Sequence, residues 1–132
     1  MSEETVEAVR QVIDAFNRRD VDRVVSLCDP DCVWLPFRAQ LEGTSYRGHD
    51  DVRRFVADMD EDWTGFRIDP IEFHEARDRV VVIGELSGRG SGSGVDIAVE
   101  GGFVFGVRDG LITHVTSYSE PRAALESVGL GG

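Results

Sequence analysis

The chain holds few groups able to do chemistry, and their types narrow the field at once. All 14 basic residues are arginines. Without a primary amine, Schiff-base formation, a pyridoxal phosphate anchor and a P-loop lysine are excluded. Arg, carboxylates and the imidazoles of His49, His74 and His114 remain. Glu85 follows the apolar run Val80-Val81-Val82-Ile83. A carboxylate on an apolar face is desolvated, which raises its pKa toward the range of a general acid or base. The plainer alternative is that the strand twists and Glu85 meets solvent or an Arg. Arg38 follows Trp34 and Pro36 at period 2. On an extended chain it shares their face, where it could hold a carboxylate or enolate oxygen or neutralise Glu85; otherwise it is a loop Arg in solvent. Tyr46 either donates a hydrogen bond at a pocket mouth or packs on the helix that follows it.

Other constellations argue for less. Cys28-x-x-x-Cys32 is the one pair with ligand-like spacing, and zinc needs three or four convergent ligands, so no metal is expected. Two half-buried reduced thiols are the simpler reading. The run Gly88 to Gly94 contains no G-x-G-x-x-G and leads into a strand, so it is a hairpin loop and not a phosphate cradle. No cofactor is expected.

These residues need elements to position them. Val6, Val9, Ile13 and Phe16 form one helical stripe, with Ser2 as its expected cap. Asn17-Arg18-Arg19-Asp20 ends it, and a second short helix carries Val21, Val24, Val25 and Cys28. Cys32 to Phe37 reads as a strand that breaks or lies at an edge at Pro36, and residues 38–48 read as loop. His49 and the acids Asp50 and Asp51 open a third helix, whose dipole disfavours the imidazolium. Its stripe is Val52, Phe55, Val56, Met59 and Trp63. After Gly65 the period becomes 2. Strands are expected over Phe66 to His74, Arg79 to Ser87, Val95 to Val107 and Leu111 to Ser119, with Asp109-Gly110 as a type I′ turn. Gly101-Gly102 suggests a bulge or a sharp bend, and Pro121 to Gly129 a last helix. Helices early and hairpin-linked strands late imply an α+β fold. A curved antiparallel sheet with helices on its concave side leaves a cone, either packed or a pocket.

This order resembles the SnoaL-like branch of the nuclear transport factor 2-like superfamily, a fold shared with ketosteroid isomerases and limonene epoxide hydrolases. The resemblance covers nearly the whole chain. It is carried by Ala15-Phe16-Asn17-Arg18-Arg19-Asp20, Asp31-Cys32-Val33-Trp34, Tyr46-Arg47-Gly48-His49, Asp78-Arg79-Val80 and Arg108-Asp109-Gly110-Leu111-Ile112. It implies a cone-shaped α+β barrel, with N-terminal helices on the concave face of a single domain spanning 1–132. It also places the isomerase roles on residues that cannot fill them. The general-base position falls at Pro36, the oxyanion tyrosine at Val12 and the oxyanion aspartic acid at Gly101. The cyclase acid/base position falls nearest to Glu120. In the isomerase-like register Val81, Ile83, Glu85 and Ser87 point into the cone, and Ser117 and Ser119 also point inward without His-acid partners for a triad. His49 lies near the cavity entrance and is the best imidazole candidate for a base. His114 shares an outer face with Ile112, Thr116 and Tyr118, which implies a homodimer through the convex side.

The size fits one core: 132 residues, 41% hydrophobic. The net charge of −11 repels phosphate backbones and anionic lipid, so no nucleic acid or membrane partner is expected. The acidic start Met1-Ser2-Glu3-Glu4 does not resemble a signal peptide, and the cytoplasm is the expected location. The functional expectation is a cofactor-independent isomerase or cyclase acting on a small apolar molecule. Glu85 or His49 would be the base. Arg38, Tyr46 and Ser117 would be polar contacts, and Trp34, Trp63, Phe103 and Phe105 the walls, with plain core as the alternative for the aromatics. The competing expectation is a non-catalytic ligand-binding or dimeric scaffold protein of the same fold. A third is epoxide hydrolysis, which requires two carboxylates bracketing one Arg.

Overall fold

A computed structural model describes residues 2–130, without the Ser2 side chain, so the expected Ser2 cap lies outside the described residues. The chain runs α1 (Ser2–Asn17), α2 (Val21–Ser26), β1 (Cys28–Leu35), α3 (Phe37–Glu42), β2 (Tyr46–Arg47), α4 (Gly48–Asp62), β3 (Trp63–Ala76), β4 (Arg79–Gly90), β5 (Asp96–Arg108), β6 (Leu111–Tyr118) and α5 (Pro121–Ser127). The strands form one open sheet in the order β2-β1-β6-β5-β4-β3. All neighbours are antiparallel except β1 and β6, which run parallel, so the sheet is mixed where a purely antiparallel one was expected.

The apolar stripes decide how the layers stack. Val9, Val12, Ile13 and Phe16 of α1, and Val52 and Val56 of α4, join Val80, Val82, Phe103 and Phe105 in one core on the concave side. Burying each such side chain contributes roughly 1.5–3 kcal/mol. The segment after α1 then pins it to the sheet. The Asn17 amide donates to the Ile68 carbonyl at 2.7 Å and accepts from the Ile68 N–H at 3.0 Å, replacing a strand partner at the open edge of β3. Arg19, at φ 57°, donates to the carbonyls of Phe16 and Phe66, both at 2.7 Å, and to Asp60 of α4 at 2.6 Å. Asn17-Arg18-Arg19-Asp20 is therefore a clamp joining α1, α4 and β3.

The sheet also has a covered convex side. Val81, Ile83 and Val104 pack there against Ala124 of α5, with Leu125 and Val128. Both faces of Val80 to Ile83 are thus buried. This corrects the expected inner face of β4: Val80, Val82 and Leu86 face the concave side, while Val81, Ile83 and Glu85 face out. A second correction concerns β6. Its register against β5 shifts between Gly106 and Val107, so Val107 pairs with Ile112 and both join the concave core. Ile112 therefore does not share the outer face of His114. The expected bulge at Gly101-Gly102 is absent, since both pair in unbroken register with β4. Those glycines serve close packing instead. A Cβ on Gly102 would stand 2.7 Å from the Ala124 Cβ, and one on Gly101 3.1 Å from Leu86 Cδ1.

The expected loop over 38–48 holds α3 and β2. Six residues are too few to show a stripe, and Pro36 at the N-cap starts the helix. Asp109 (φ 53°) and Gly110 (φ 77°) form the expected turn. Among the described residues no helix is long and apolar enough to cross a membrane.

If α5 is seated by Gly102, Gly102→Ala lowers the melting temperature by roughly 3–9 °C, from an overpacking cost of about 1–3 kcal/mol. In an Ala124→Gly background the same substitution costs about 1 kcal/mol less. Equal costs in the two backgrounds, measured by thermal denaturation, contradict this packing.

Candidate functional site: an aromatic cone with a charged rim

Between the helices and the concave sheet lies a cavity of about 830 Å³. That is within the range of small-molecule sites, roughly 300–1,000 Å³. Six of the seven phenylalanines and both tryptophans line it, drawn from α1, β1, α3, α4, β3 and β5. The rings also meet one another. Phe55 of α4 contacts Phe16 of α1 at 6.1 Å, and Trp34 of β1 and Tyr46 of β2 at 5.3 Å each, the last two edge to face. Phe16 also meets Phe66 edge to face. A second depression of about 710 Å³ lies beside α1. Glu3, Glu4, Glu7 and Glu75 line it with Arg10 and with Val6, Ala8 and Leu27, so it is a mixed, mainly acidic surface groove.

The expected wall residues Trp34, Trp63, Phe103 and Phe105 line the cavity, as do Arg38 and Ser117. Trp63 does so as the first residue of β3 and not as the last turn of a helix. Arg38 does so from α3, not by continuing the parity of β1. Tyr46 does not line it. Its hydroxyl donates to Asp58 at 2.9 Å, its ring packs on Phe55, and burial, then the Asp58 carboxylate, pushes its phenol up from the ordinary value.

The two expected bases lie outside. Glu85 is exposed on the convex face, opposite Glu100 on β5 and Asp69 on β3, so it does not interrupt the inner face. The error is one of parity, because a strand buried on both sides gives no alternation to read. His49, half-buried at the start of α4, has its Nε2 2.9 Å from the Cys28 carbonyl oxygen. It ties α4 to β1 and is not among the lining residues. His74 is close to Glu72 on exposed β3, with Nε2 to Oε1 at 2.7 Å. Pro36, Val12 and Gly101, where the resemblance put the three isomerase roles, all line the cavity, and none carries an ionisable group. Glu120 is exposed at the N-cap of α5 and outside the lining.

Asp62 is the residue that the sequence reading passed over. Its carboxylate Oδ2 lies 2.5 Å from Arg38 Nη1, and both residues line the cavity at its rim. Arg38 Nε also lies 3.4 Å from Glu42 Oε2, one turn along α3. Asp62 and then Glu42 hold the guanidinium above its already high ordinary value, so it is always charged. The backbone carbonyl of Asp62 accepts from the Ser91 N–H at 3.0 Å, which ties the glycine-rich β4–β5 hairpin to the same point. A signal was present in the sequence. Asp60, Glu61 and Asp62 end α4, where the helix dipole disfavours carboxylates, so each needs compensation from elsewhere. Arg19 supplies it for Asp60, and Arg38 for Asp62.

Cys28 and Cys32 are free, buried and adjacent under this wall. The Cys32 group beside it, then burial, pushes the Cys28 thiol far up, while hydrogen bonding from Cys28 lowers Cys32. The Trp34 indole N–H is buried without a well-formed hydrogen bond, next to the Cys28 thiol. Among the described residues no charged side chain is buried, and no group of three or more His, Cys, Asp or Glu converges as a metal site would require.

The architecture is thus an open, curved six-stranded sheet covered by helices on its concave side, with an aromatic cavity between the layers. The family profile for the SnoaL-like domain matches residues 9–115, and the chain belongs to that family. Among solved structures, an NTF2-like protein of unknown function from Burkholderia pseudomallei is similar at TM-score 0.79 and 22% identity, covering 96% of this chain and 98% of that one. A candidate polyketide cyclase from Xanthomonas campestris matches at TM-score 0.78 and 22% identity, over 98% of both chains. TerC, co-crystallised with polyporic acid, matches at TM-score 0.78 and 26% identity, over 95% of this chain and 97% of that one. No curated protein matches the chain.

One imidazole has an environment that predicts its titration. His114 lies over Gly106 on the outer face, and burial, then nearby Arg79, lowers it from the ordinary 6.5. Protonation is then favoured in the unfolded chain. The stability it contributes is complete above about pH 6.5 and is lost as pH falls through the folded value. The NMR titration of the His114 ring should have its midpoint below 6.5; a midpoint at or above 6.5 contradicts this placement.

Proposed function

We propose that this chain is a small-molecule pocket protein whose ligand is uncharged, largely apolar and aromatic. One observation carries the reading: a cavity of about 830 Å³ takes in nearly all the chain's large aromatic rings, while its charges stay at the rim. Rings favour edge-to-face or offset contacts with other rings, worth about 0.5–1.5 kcal/mol each beyond area burial. The family resemblance to polyketide cyclases, and the likeness to TerC with polyporic acid, support a small-molecule ligand. Acid/base turnover by Glu85 or His49 has no support from their positions, so ligand binding without chemistry is the simpler form of the proposal.

A homodimer belongs to it in narrower form. Since α5 covers Val81, Ile83 and Val104, a second copy would have to pack on the rest of the convex face, around Thr116 and His114.

The uncharged fluorophore N-phenyl-1-naphthylamine tests the ligand class. It should saturate at one site per chain. Ser117→Phe, which puts a ring opposite Phe103 inside the cavity, should weaken binding by about tenfold or more, equivalent to about 1.4 kcal/mol. Glu85→Gln on the outer face should leave it within about twofold, as surface substitutions remote from a site do. Binding that Ser117→Phe leaves unchanged would place the ligand elsewhere.

One arrangement favours a second reading. Epoxide hydrolysis needs an Arg between two carboxylates, and Arg38 stands between Asp62 and Glu42. One carboxylate would activate water for attack on an epoxide carbon while the other gives its proton to the opening oxygen. Only Arg38 and Asp62 of the three line the cavity, and Glu42 is 56% exposed. Hydration of styrene oxide that falls at least a hundredfold in Asp62→Asn, within the usual 10²–10⁴ for an acid/base group, would establish this reading. No turnover by the unaltered protein would sink it.

A further inference from the structure

The rim carries an inference about which ligands can enter, and it rests on the reading of the cavity as a binding site. Arg38 is the one cationic residue among the cavity's lining residues. Taken alone it would draw a carboxylate, sulfonate or enolate into the cone. It does not stand alone. Asp62 Oδ2 holds one end of the guanidinium at 2.5 Å and Glu42 Oε2 faces its Nε at 3.4 Å. Glu100 also contributes to the lining. That contribution is backbone, since its carboxylate shares the convex face with Glu85. The rim therefore sets two carboxylates, Asp62 and Glu42, against one guanidinium, on a chain whose net charge is already −11.

We propose that the Arg38–Asp62–Glu42 cluster excludes anionic ligands and makes the cavity selective for uncharged ones. The physical basis is competition. An incoming anion would have to displace carboxylates already paired with Arg38, leaving them beside its own charge, and like charges placed together oppose binding. An uncharged carbonyl or hydroxyl displaces nothing, because the guanidinium has five N–H donors and only two groups hold it. The ligand class is thereby narrowed to a neutral aromatic molecule, with any oxygen at the rim un-ionised. The cluster also bridges α3 to the end of α4, so the choice is made at the entrance and not on the apolar walls.

Two probes with the same ring skeleton test this: N-phenyl-1-naphthylamine, which is uncharged, and 8-anilinonaphthalene-1-sulfonate, which carries one negative charge. Each is titrated against the full chain, the double variant Glu42→Gln with Asp62→Asn, and a triple variant adding Arg38→Gln. Releasing Arg38 in the double variant should tighten sulfonate binding by about tenfold, the size of one charge-assisted hydrogen bond at a partly exposed site. The readout is the ratio of sulfonate to neutral affinity, and an unchanged far-UV circular dichroism spectrum shows that the variant is folded. Adding Arg38→Gln should abolish the gain. In the unaltered protein, added salt should strengthen sulfonate binding, because screening weakens the repulsion. Neutral binding with no sulfonate gain in the double variant overturns the selection while leaving the binding cavity standing. Failure of the unaltered protein to bind the neutral probe overturns the cavity reading and this inference with it.

Discussion

Phe55 is the point on which the rest of the structure depends. From the middle of α4 its ring meets Phe16 of α1, Trp34 of β1 and Tyr46 of β2. Aliphatic side chains at those positions would interdigitate and draw the helices down onto the sheet. Planar rings that meet edge to face cannot fill the same space as closely. The clamp of Asn17 and Arg19 fixes the end of α1 against β3 independently of how deeply the core packs. With helix ends tied to the sheet edge and helix centres resting on rings, the concave side keeps an opening. The cavity is thus a consequence of how the core is built.

Much of this fold was legible because certain residues admit one reading. The α4 stripe from Val52 to Met59 and the Asp109-Gly110 turn stand in the structure as read, while Trp63 opens β3 instead of extending the helix. Parts of the site were legible for a related reason: large rings at strand and helix spacing must face the interior, whether or not that interior is full. The inner face of β4 was not legible. Val80 to Ile83 are apolar at every position because α5 covers the side that a one-layer reading leaves to solvent, so either parity satisfies the sequence. Glu85 was misplaced with it. Ile112 was misplaced because the shift opposite Gly106 has no mark in the sequence beyond a glycine. Arg38 reached the cavity by a route that strand parity could not describe, since the backbone turns helical at Phe37.

The same comparison explains why the charges are where they are. Placing a carboxylate in the cone would cost several kcal/mol without a buried partner, and the described structure has none there. No acid is buried among the described residues, and arginines answer many of them: Arg19 for Asp60, Arg38 for Asp62, Arg67 for Asp69 and Arg89 for Asp96. Such exposed pairs add little stability. Of these pairs only Arg38–Asp62 lines the cavity. The interior is left with shape, aromatic surface and a few hydroxyls such as Ser117, which suits recognition of a neutral molecule and offers little for proton transfer deep in the cone.

The central claim is that an uncharged aromatic ligand occupies the cone under Phe55. Crystals of the protein soaked with 4-bromobiphenyl test it most directly, because bromine marks its own position by anomalous scattering. The account predicts one bromine peak inside the cavity among Trp34, Phe55, Phe103 and Phe105. A soaked crystal whose cone is closed by those rings, with bromine only at the surface or nowhere, would contradict it.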